Sequence, residues 1–335
     1  MTSPQPNLAS VARLSKVSIS TASRALQNHP DISLATQERV KKTAEALGYR
    51  GNCAARTLLT GKSNLVAFLH SGQDLYWHEL SQTVCGTFAE RGCFPVFCPT
   101  ADNPAWERYF IESLLEHRAS GALWMPCLAT DVKAMVECIA SARMPVVVLD
   151  RYASDCAVTF VHTDDAAGAA MAMRHVLEQG HRRIGLVLAP LISQPIQWRK
   201  EGYLAALDEA GIPSAQVVVQ QTTAFTYEAS LQCSLEMLSL KERPTAVLAS
   251  TDEQAWAALD AARELQISVP KDLRIIGYGD YLSRRHTQCA LSTVSQNREK
   301  VAATAVDCLI QAMRKGYEPT HKRVVLPVEL KIKDT

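Results

Sequence analysis

With 335 residues, 47% apolar and 21% charged, the chain is too long for one ordinary core and has the balance of a soluble globular protein. The first residues lack a secretory signal's basic and apolar segments, and no window approaches the roughly 18 uninterrupted apolar residues of a membrane span, which argues for a cytoplasmic protein. Residues 1–62 carry nine basic against three acidic side chains, a net of +6, and the rest 26 against 31, a net of −5; only the head is suited to meet a polyanion.

Three short helices are predicted before residue 50. Asn7 is the N-cap of the first, with Leu8, Val11, Ala12 and Leu14 as its apolar stripe. A break at Ser15-Lys16-Val17 leads to Ser18, a second N-cap, and a helix over 19–27. Asn28-His29-Pro30-Asp31 is turn chemistry. Ser33 then caps a third helix bearing Val40, Thr43, Ala44 and Leu47, and Gly48 is its C-cap.

From Asn64 onward short apolar runs alternate with amphipathic helices. The runs are 65–69, 95–98, 122–125, 146–149, 184–188, 216–219, 246–249 and 273–276. This rhythm predicts parallel sheets covered on both faces, and the number of strands favours two doubly wound lobes. A ligand then binds beyond the carboxyl ends of the strands, in the cleft between lobes. The ten cysteines are scattered without metal-site spacing and read as buried reduced thiols. No cofactor is expected.

The segment from Val11 to Leu26, which includes Ser15-Lys16-Val17-Ser18 and Thr21-Ala22-Ser23-Arg24, resembles the N-terminal signature of the lac repressor family. The likeness runs on through Asn28, Val40, Gly48-Tyr49, Asn52, Ala55-Arg56 and Leu58, and then along the core. It implies a small all-α helix-turn-helix head (1–50), a hinge (51–63) and a periplasmic-binding-protein-like α/β core of type I (64–335). Within the core it implies a first lobe over 64–162 and 293–324 and a second over 163–292 and 325–335. It implies no enzyme.

For the head, the resemblance puts Ile19 and Ser20 at the leading base-reading positions and Arg24 one turn further on. An arginine there can bond guanine in the major groove, unless it is merely solvated. Ile19 can contact a thymine methyl or exclude water. Ser18, Thr21 and Ser23 carry hydroxyls suited to phosphate oxygens. Two departures stand out: Ser10 replaces an aspartate, and Lys16 takes the place of the family's turn glycine, so it must adopt a left-handed conformation or reshape the turn. In the hinge, Asn52, Ala55 and Arg56 accompany Leu58, which matches an apolar minor-groove wedge but could equally be an interdomain contact. Gly51 replaces a common proline there. One head makes too few contacts for tight specificity, so a homodimer on a palindromic duplex operator is expected.

For the core, the resemblance makes Arg199 the leading effector ligand, against the alternative of a salt bridge to a neighbouring carboxylate. Arg151, Asp252, Phe225, Trp77 and Asp280 complete the candidates, each with a structural role as the alternative. Gly279 stands where the family usually has an aspartate, and Gly279-Asp280 with Gln288-Cys289 resembles the fructose-repressor branch more weakly. That favours a sugar phosphate or sugar acid over a neutral sugar. The expected protein is a nucleoid-associated transcriptional regulator of carbohydrate-related genes, a repressor by resemblance. The rival readings are a periplasmic-type sugar-binding protein and an α/β enzyme. Against the enzyme, no glycine-rich phosphate loop follows the first apolar run, and no Gly-x-Ser-x-Gly elbow occurs.

Overall fold

The computed structural model describes residues 6–51, 63–72, 75–213, 216–281, 290–315, 318 and 320–335. The chain divides into two compact units, Met1–Ser63 and Asn64–Thr335.

The first unit holds α1 (Leu8–Leu14), α2 (Ile19–Leu26) and α3 (Leu34–Ala46). Each start is fixed locally: Asn7, Ser18 and Ser33 accept from the backbone N–H groups of Ser10, Thr21 and Thr36. The third helix ends in a Schellman motif. Gly48 has φ +64, Tyr49 N donates to Ala44 O at 2.8 Å and Gly48 N to Glu45 O at 2.9 Å. Val11, Ala12, Ala22, Ala25, Val40 and Ala44 form the buried core of this unit. The turn between α1 and α2 keeps its shape without glycine, because Lys16 takes the left-handed conformation itself, φ 53.

The second unit contains two six-stranded sheets. The first is built from β1 (Leu65–His70), β2 (Phe94–Pro99), β3 (Gly121–Trp124), β4 (Val146–Leu149), β5 (Thr159–Thr163) and β11 (Lys322–Leu326). Its order is β11-β5-β4-β3-β1-β2, with every pair parallel. One face is covered by α4 (Leu75–Glu90) and α11 (Arg298–Lys315), the other by α5 (Pro104–Glu116) and α6 (Val132–Ser141). The second sheet comprises β6 (Ile184–Leu188), β7 (Val218–Gln221), β8 (Ala246–Ala249), β9 (Arg274–Gly279), β10 (Ser292–Ser295) and β12 (Glu329–Lys331). Its order is β12-β10-β9-β8-β6-β7, and only β12 runs antiparallel. It is sandwiched by α7 (Asp165–Glu178) and α8 (Gln194–Glu209) on one face and α9 (Tyr227–Leu238) and α10 (Asp252–Glu264) on the other.

The expected lobe limits shift slightly. Residues 293–295, expected in the first lobe, lie in β10 and pair with β9 of the second sheet, while β11 of the first sheet runs on to Leu326. Four strands gave no apolar run in the sequence. Thr159–Thr163 and Ser292–Ser295 carry Thr, Ser and His between their apolar residues, and β11 and β12 lie on sheet edges. The edge strand expected over 216–219 is found two residues later, at Val218–Gln221.

Helices α7 and α8 approach closely at Gly202. A Cβ there would stand 2.0 Å from the carbonyl oxygen of Ala166, so any larger residue would force α7 and α8 apart. That contact sets the distance between Asp165 on α7 and Arg199 on α8.

Candidate nucleic-acid interface and ligand cleft

On the head, α2 turns Ala22 and Ala25 into the core and leaves Ser18, Ile19, Ser20 and Arg24 exposed, with Thr21 and Ser23 half-buried. Ile19 retains 55% of its surface, a large apolar side chain held in water at the helix start. Ser20 and Arg24 are four residues apart and so share one stripe of the helix. The hydroxyls at the N-terminus are already interlinked: Ser18 Oγ lies 2.9 Å from Ser20 Oγ and 2.8 Å from Thr21 Oγ1, and accepts from Thr21 N. Ser20 is therefore coupled to the cap. Arg24 makes no ion pair among the described residues. The hinge candidates Asn52, Ala55, Arg56 and Leu58 lie outside the described residues.

In the second unit a cleft of about 810 Å³ opens at the carboxyl ends of the strands. Four of the six predicted ligand residues line it: Trp77, Arg151, Arg199 and Phe225. Arg199 is buried and largely committed. Its Nε donates to Asp165 Oδ1 at 2.7 Å and its Nη1 to Ser250 O at 2.6 Å, while the guanidinium lies 3.8 Å over the Tyr278 ring. Burial opposes its charge, but Asp165 more than offsets that and raises its pKa. The proposed salt bridge and the cleft position thus coexist in one side chain. Asp165 also accepts from Thr163 Oγ1, which in turn accepts from Gln296 Nε2 in the cleft wall.

Arg151 is differently placed. It is 9% exposed, and its buried Nε has no hydrogen-bond partner among the described residues. A buried guanidinium donor left unpaired costs free energy that an acceptor on a bound ligand can recover. Trp77 is buried, stacked on His70 at 6.3 Å and edge-on to Tyr76 at 5.1 Å. Phe225 is half exposed.

Asp252 and Asp280 do not line the cleft, and the structure corrects both expectations. Asp252 is fully buried behind the wall, where Oδ1 accepts from Thr293 Oγ1 at 2.6 Å and Oδ2 from Tyr281 N at 3.1 Å. Burial lifts its carboxyl to about 6. Asp280 turns away to Lys331 at 2.6 Å and Lys333 at 3.2 Å. Burial works against its charge, yet the hydrogen bonds from these lysines prevail and hold its pKa below the ordinary value. Side-chain direction beyond a strand end depends on the loop, and Gly279 (φ +136) and Asp280 (φ +58) both take left-handed backbone there.

Sequence reasoning put Asp150 at the end of the fourth strand without making it a ligand candidate, and it missed Gln296 and Ile192 in the wall. It also missed the contacts that join the lobes. Gln194 of α8 accepts from Tyr152 N at 2.7 Å and donates to Tyr152 O, and the Trp198 ring lies tilted against His162 of β5, centroids 4.8 Å apart. Arg298 of α11 bridges Glu79 of α4, at 3.0 Å, and the carbonyl of Asp280 at the end of β9. A contact between lobes leaves no local signal in a single sequence.

A helix-turn-helix unit followed by two parallel α/β lobes around a cleft joins an element suited to a DNA groove to one suited to a small molecule. Residues 7–52 match the bacterial regulatory proteins of the lacI family, and residues 173–335 match the periplasmic binding protein-like domain. The chain is 28% identical over 316 residues to the HTH-type transcriptional repressor CytR of Escherichia coli K12, covering 94% of this chain and 92% of that protein. It is 30% identical to an HTH-type transcriptional regulator of Streptomyces limosus, over 91% of this chain and 88% of that one. Its fold matches a lac repressor dimer solved with operator and the anti-inducer ONPF, with a TM-score of 0.84 at 22% identity and 99% of both chains covered. The chain belongs to the lacI family. It is a DNA-binding transcription regulator, not an enzyme, and no helix among the described residues is long and apolar enough to cross a membrane.

Proposed function

We propose that the protein is a cytoplasmic repressor that grips a near-palindromic operator as a homodimer and is controlled by a small sugar or sugar derivative in the core cleft. The observation that carries the reading is the exposed edge of α2: Ser18, Ile19, Ser20 and Arg24 stand free of the head core inside a segment that matches the family. In this reading Arg24 and Ile19 read base edges, and the hydroxyls of Ser18, Thr21 and Ser23 fix the register on phosphates. Residues 1–50 act as the head and 51–63 as the hinge. Leu58, with Asn52, Ala55 and Arg56, enters the minor groove at the dyad. The similarity to a repressor from Escherichia coli supports repression, and the lac repressor neighbour, a dimer held on its operator with a small molecule, supports the assembly.

The coupling uses the lobes. Gln194 and Trp198 tie them together through Tyr152 and His162, and Arg298 does so through the Asp280 carbonyl. A ligand that bonds Arg151 on one wall and Arg199 on the other favours one lobe arrangement over another, and the change in core geometry alters how two hinges meet the duplex. Selection from a randomised palindrome, followed by a shift assay, tests this. One enriched sequence and a steep loss of affinity with salt are expected. A purified protein with no preference for any duplex over scrambled competitor, with or without candidate metabolites, would overturn it.

A further inference from the structure

Arg151 follows β4 in the first lobe and Arg199 lies on α8 in the second, and both line the cleft. Their chain neighbours Tyr152 and Trp198 do not line it; behind the wall they join one cluster with His162 of β5 and Arg323 of β11. Sheet register builds that cluster. Arg323 is paired with Phe160, two residues before His162, so Arg323 and His162 share a face of the first sheet. Arg323 Nε donates to His162 Nε2 at 2.9 Å. Its guanidinium lies 4.2 Å over the Tyr152 ring and 6.0 Å from the centre of the Trp198 ring, faces that attract a cation. The cluster also reaches both walls by hydrogen bonds. Gln194 of α8 holds the Tyr152 backbone, and Thr163, which accepts from His162 through its carbonyl, donates through Oγ1 to Asp165, the partner of Arg199.

Hydrogen-bond chemistry fixes the charge of this imidazole. His162 Nδ1 lies 2.8 Å from Thr163 O, and a carbonyl only accepts, so Nδ1 carries a proton. A guanidinium only donates, so Nε2 presents its lone pair to Arg323. His162 is therefore neutral. A second proton would set two donors and two positive charges against each other and expel Arg323. The surrounding groups are Arg323 from β11, Asp150 beyond β4, Asp164 and Asp165 at the start of α7, Arg199 on α8, and Tyr152 with His321, whose Nε2 lies 3.3 Å from the Tyr152 hydroxyl. Burial lowers the His162 pKa; the Thr163 carbonyl offsets part of this, Arg323 adds to the lowering, and Asp165 and Asp164 act the other way.

We propose that Arg323 is a positioning residue for the cleft: seated on neutral His162 and on Tyr152 of the first lobe, it holds Trp198 of the second and so sets the separation of the Arg151 and Arg199 walls. This rests on the reading of the cleft as the effector site, and Arg323 itself touches no ligand. Losing the seat shifts the lobes toward a more open arrangement.

Two tryptophans report the latch and the cleft separately in the full-length protein. Trp198 reports the latch, because a protonated imidazole against an indole quenches its emission. Subtracting the emission of Trp198→Phe isolates it from the other tryptophans. This difference should fall by roughly a third between pH 8 and pH 5 as His162 takes up a proton, with far-UV circular dichroism unchanged. In His162→Gln, whose amide oxygen can accept from Arg323 and does not titrate, it should stay flat. Trp77 lines the cleft and is buried, so it reports opening. Its quenching by acrylamide, taken as the difference from Trp77→Phe backgrounds, should rise about twofold in Arg323→Ala at pH 7.5 as the open arrangement gains population. Arg323→Lys, which keeps a cation and a donor, should recover part of the change. Arg323 is exposed, so Tm should move little.

Trp198 emission that follows the same pH curve in the parent and in His162→Gln overturns the proposal. So does Trp77 quenching that is unchanged in Arg323→Ala. A shift assay on the selected duplex keeps the two readings apart. Specific duplex binding with either failure leaves the regulator standing and removes the latch; both fluorescence responses without specific duplex binding do the reverse.

Discussion

The head and the core present their binding groups in opposite ways. On the head, Ile19 and Arg24 project from a helix whose other face is anchored, and the same unit exposes the basic residues Arg13, Lys16, Arg39, Lys41 and Lys42. In the core, Arg199 is wired into Asp165, Ser250 and Tyr278 before any ligand arrives. A surface array of this kind tolerates loss of single members, so effects on the duplex should add. A buried network does not, since removing one member strands the others. Specificity and stability are therefore separable in the head and entangled in the core.

The sharpest way to break that contrast is Arg199→Ala. Stranding the buried Asp165 carboxylate should destabilise the core by about 3–5 kcal/mol, read as a lowered denaturation midpoint. The double variant Arg199→Met with Asp165→Leu should recover most of the loss, although ligand response would not return. If Arg199→Ala keeps full stability, the network is ornamental and the core resembles the head after all.

His70 offers a second test, inside the core but outside the cleft wall. Its ring lies among Phe68, Phe97 and Trp77 with no hydrogen bond of normal geometry to either nitrogen. Burial pushes its pKa down to about 4, offset only in part by the backbone near Gly72. Between pH 6.5 and 4 the unfolded chain then holds the extra proton, so stability falls as pH drops through that window, by about 3 kcal/mol in full. Asp252 works in the opposite sense. Its carboxyl, raised to about 6, binds a proton in the folded state first and makes the protein more stable as pH falls through about 6 to 4. The difference between His70→Phe and the parent isolates the imidazole: the variant should gain at pH 4.5 and change little at pH 7.5. Parallel pH–stability curves for the two proteins would refute the assignment.

In the head the corresponding experiment concerns Arg24. Arg24→Ala should cost about 1–3 kcal/mol of discrimination at one base pair while leaving the denaturation curve of the head in place. A uniform loss across all duplexes would make Arg24 a phosphate contact instead.

The same contrast explains what could be read in advance. Every helix of the head announced itself through neighbours in sequence, with Asn7, Ser18 and Ser33 as caps and Gly48 as a left-handed stop. The central strands β3, β4, β6 and β8 were equally plain, because parallel strands buried on both faces admit little but apolar residues, whereas the edge strand expected over 216–219 was placed two residues early. Asp252 and Asp280 were misjudged because they sit at strand ends, where chain position was legible but side-chain direction was not. Thr293, Lys331 and Lys333 claim those carboxylates from segments that are distant in sequence. Arg151 and Arg199 both looked like cleft arginines, and only the fold reveals that one is committed and the other still lacks a partner for its Nε.

Lys16 carries the smallest expected effect and separates two contributions within the head. Its left-handed backbone costs roughly 1 kcal/mol that glycine would not incur, but glycine also gives the unfolded chain more freedom, which returns part of the gain. Lys16→Gly should thus raise head stability by only a few tenths of a kcal/mol. If the ammonium also meets a phosphate, the slope of log affinity against log salt should fall by about one. Lys16→Asn keeps a residue tolerant of φ near 53 and removes the same charge. A slope change shared by both variants, with stability moved little by either, assigns Lys16 to the phosphate backbone. An unchanged slope would mean that this lysine serves the turn alone.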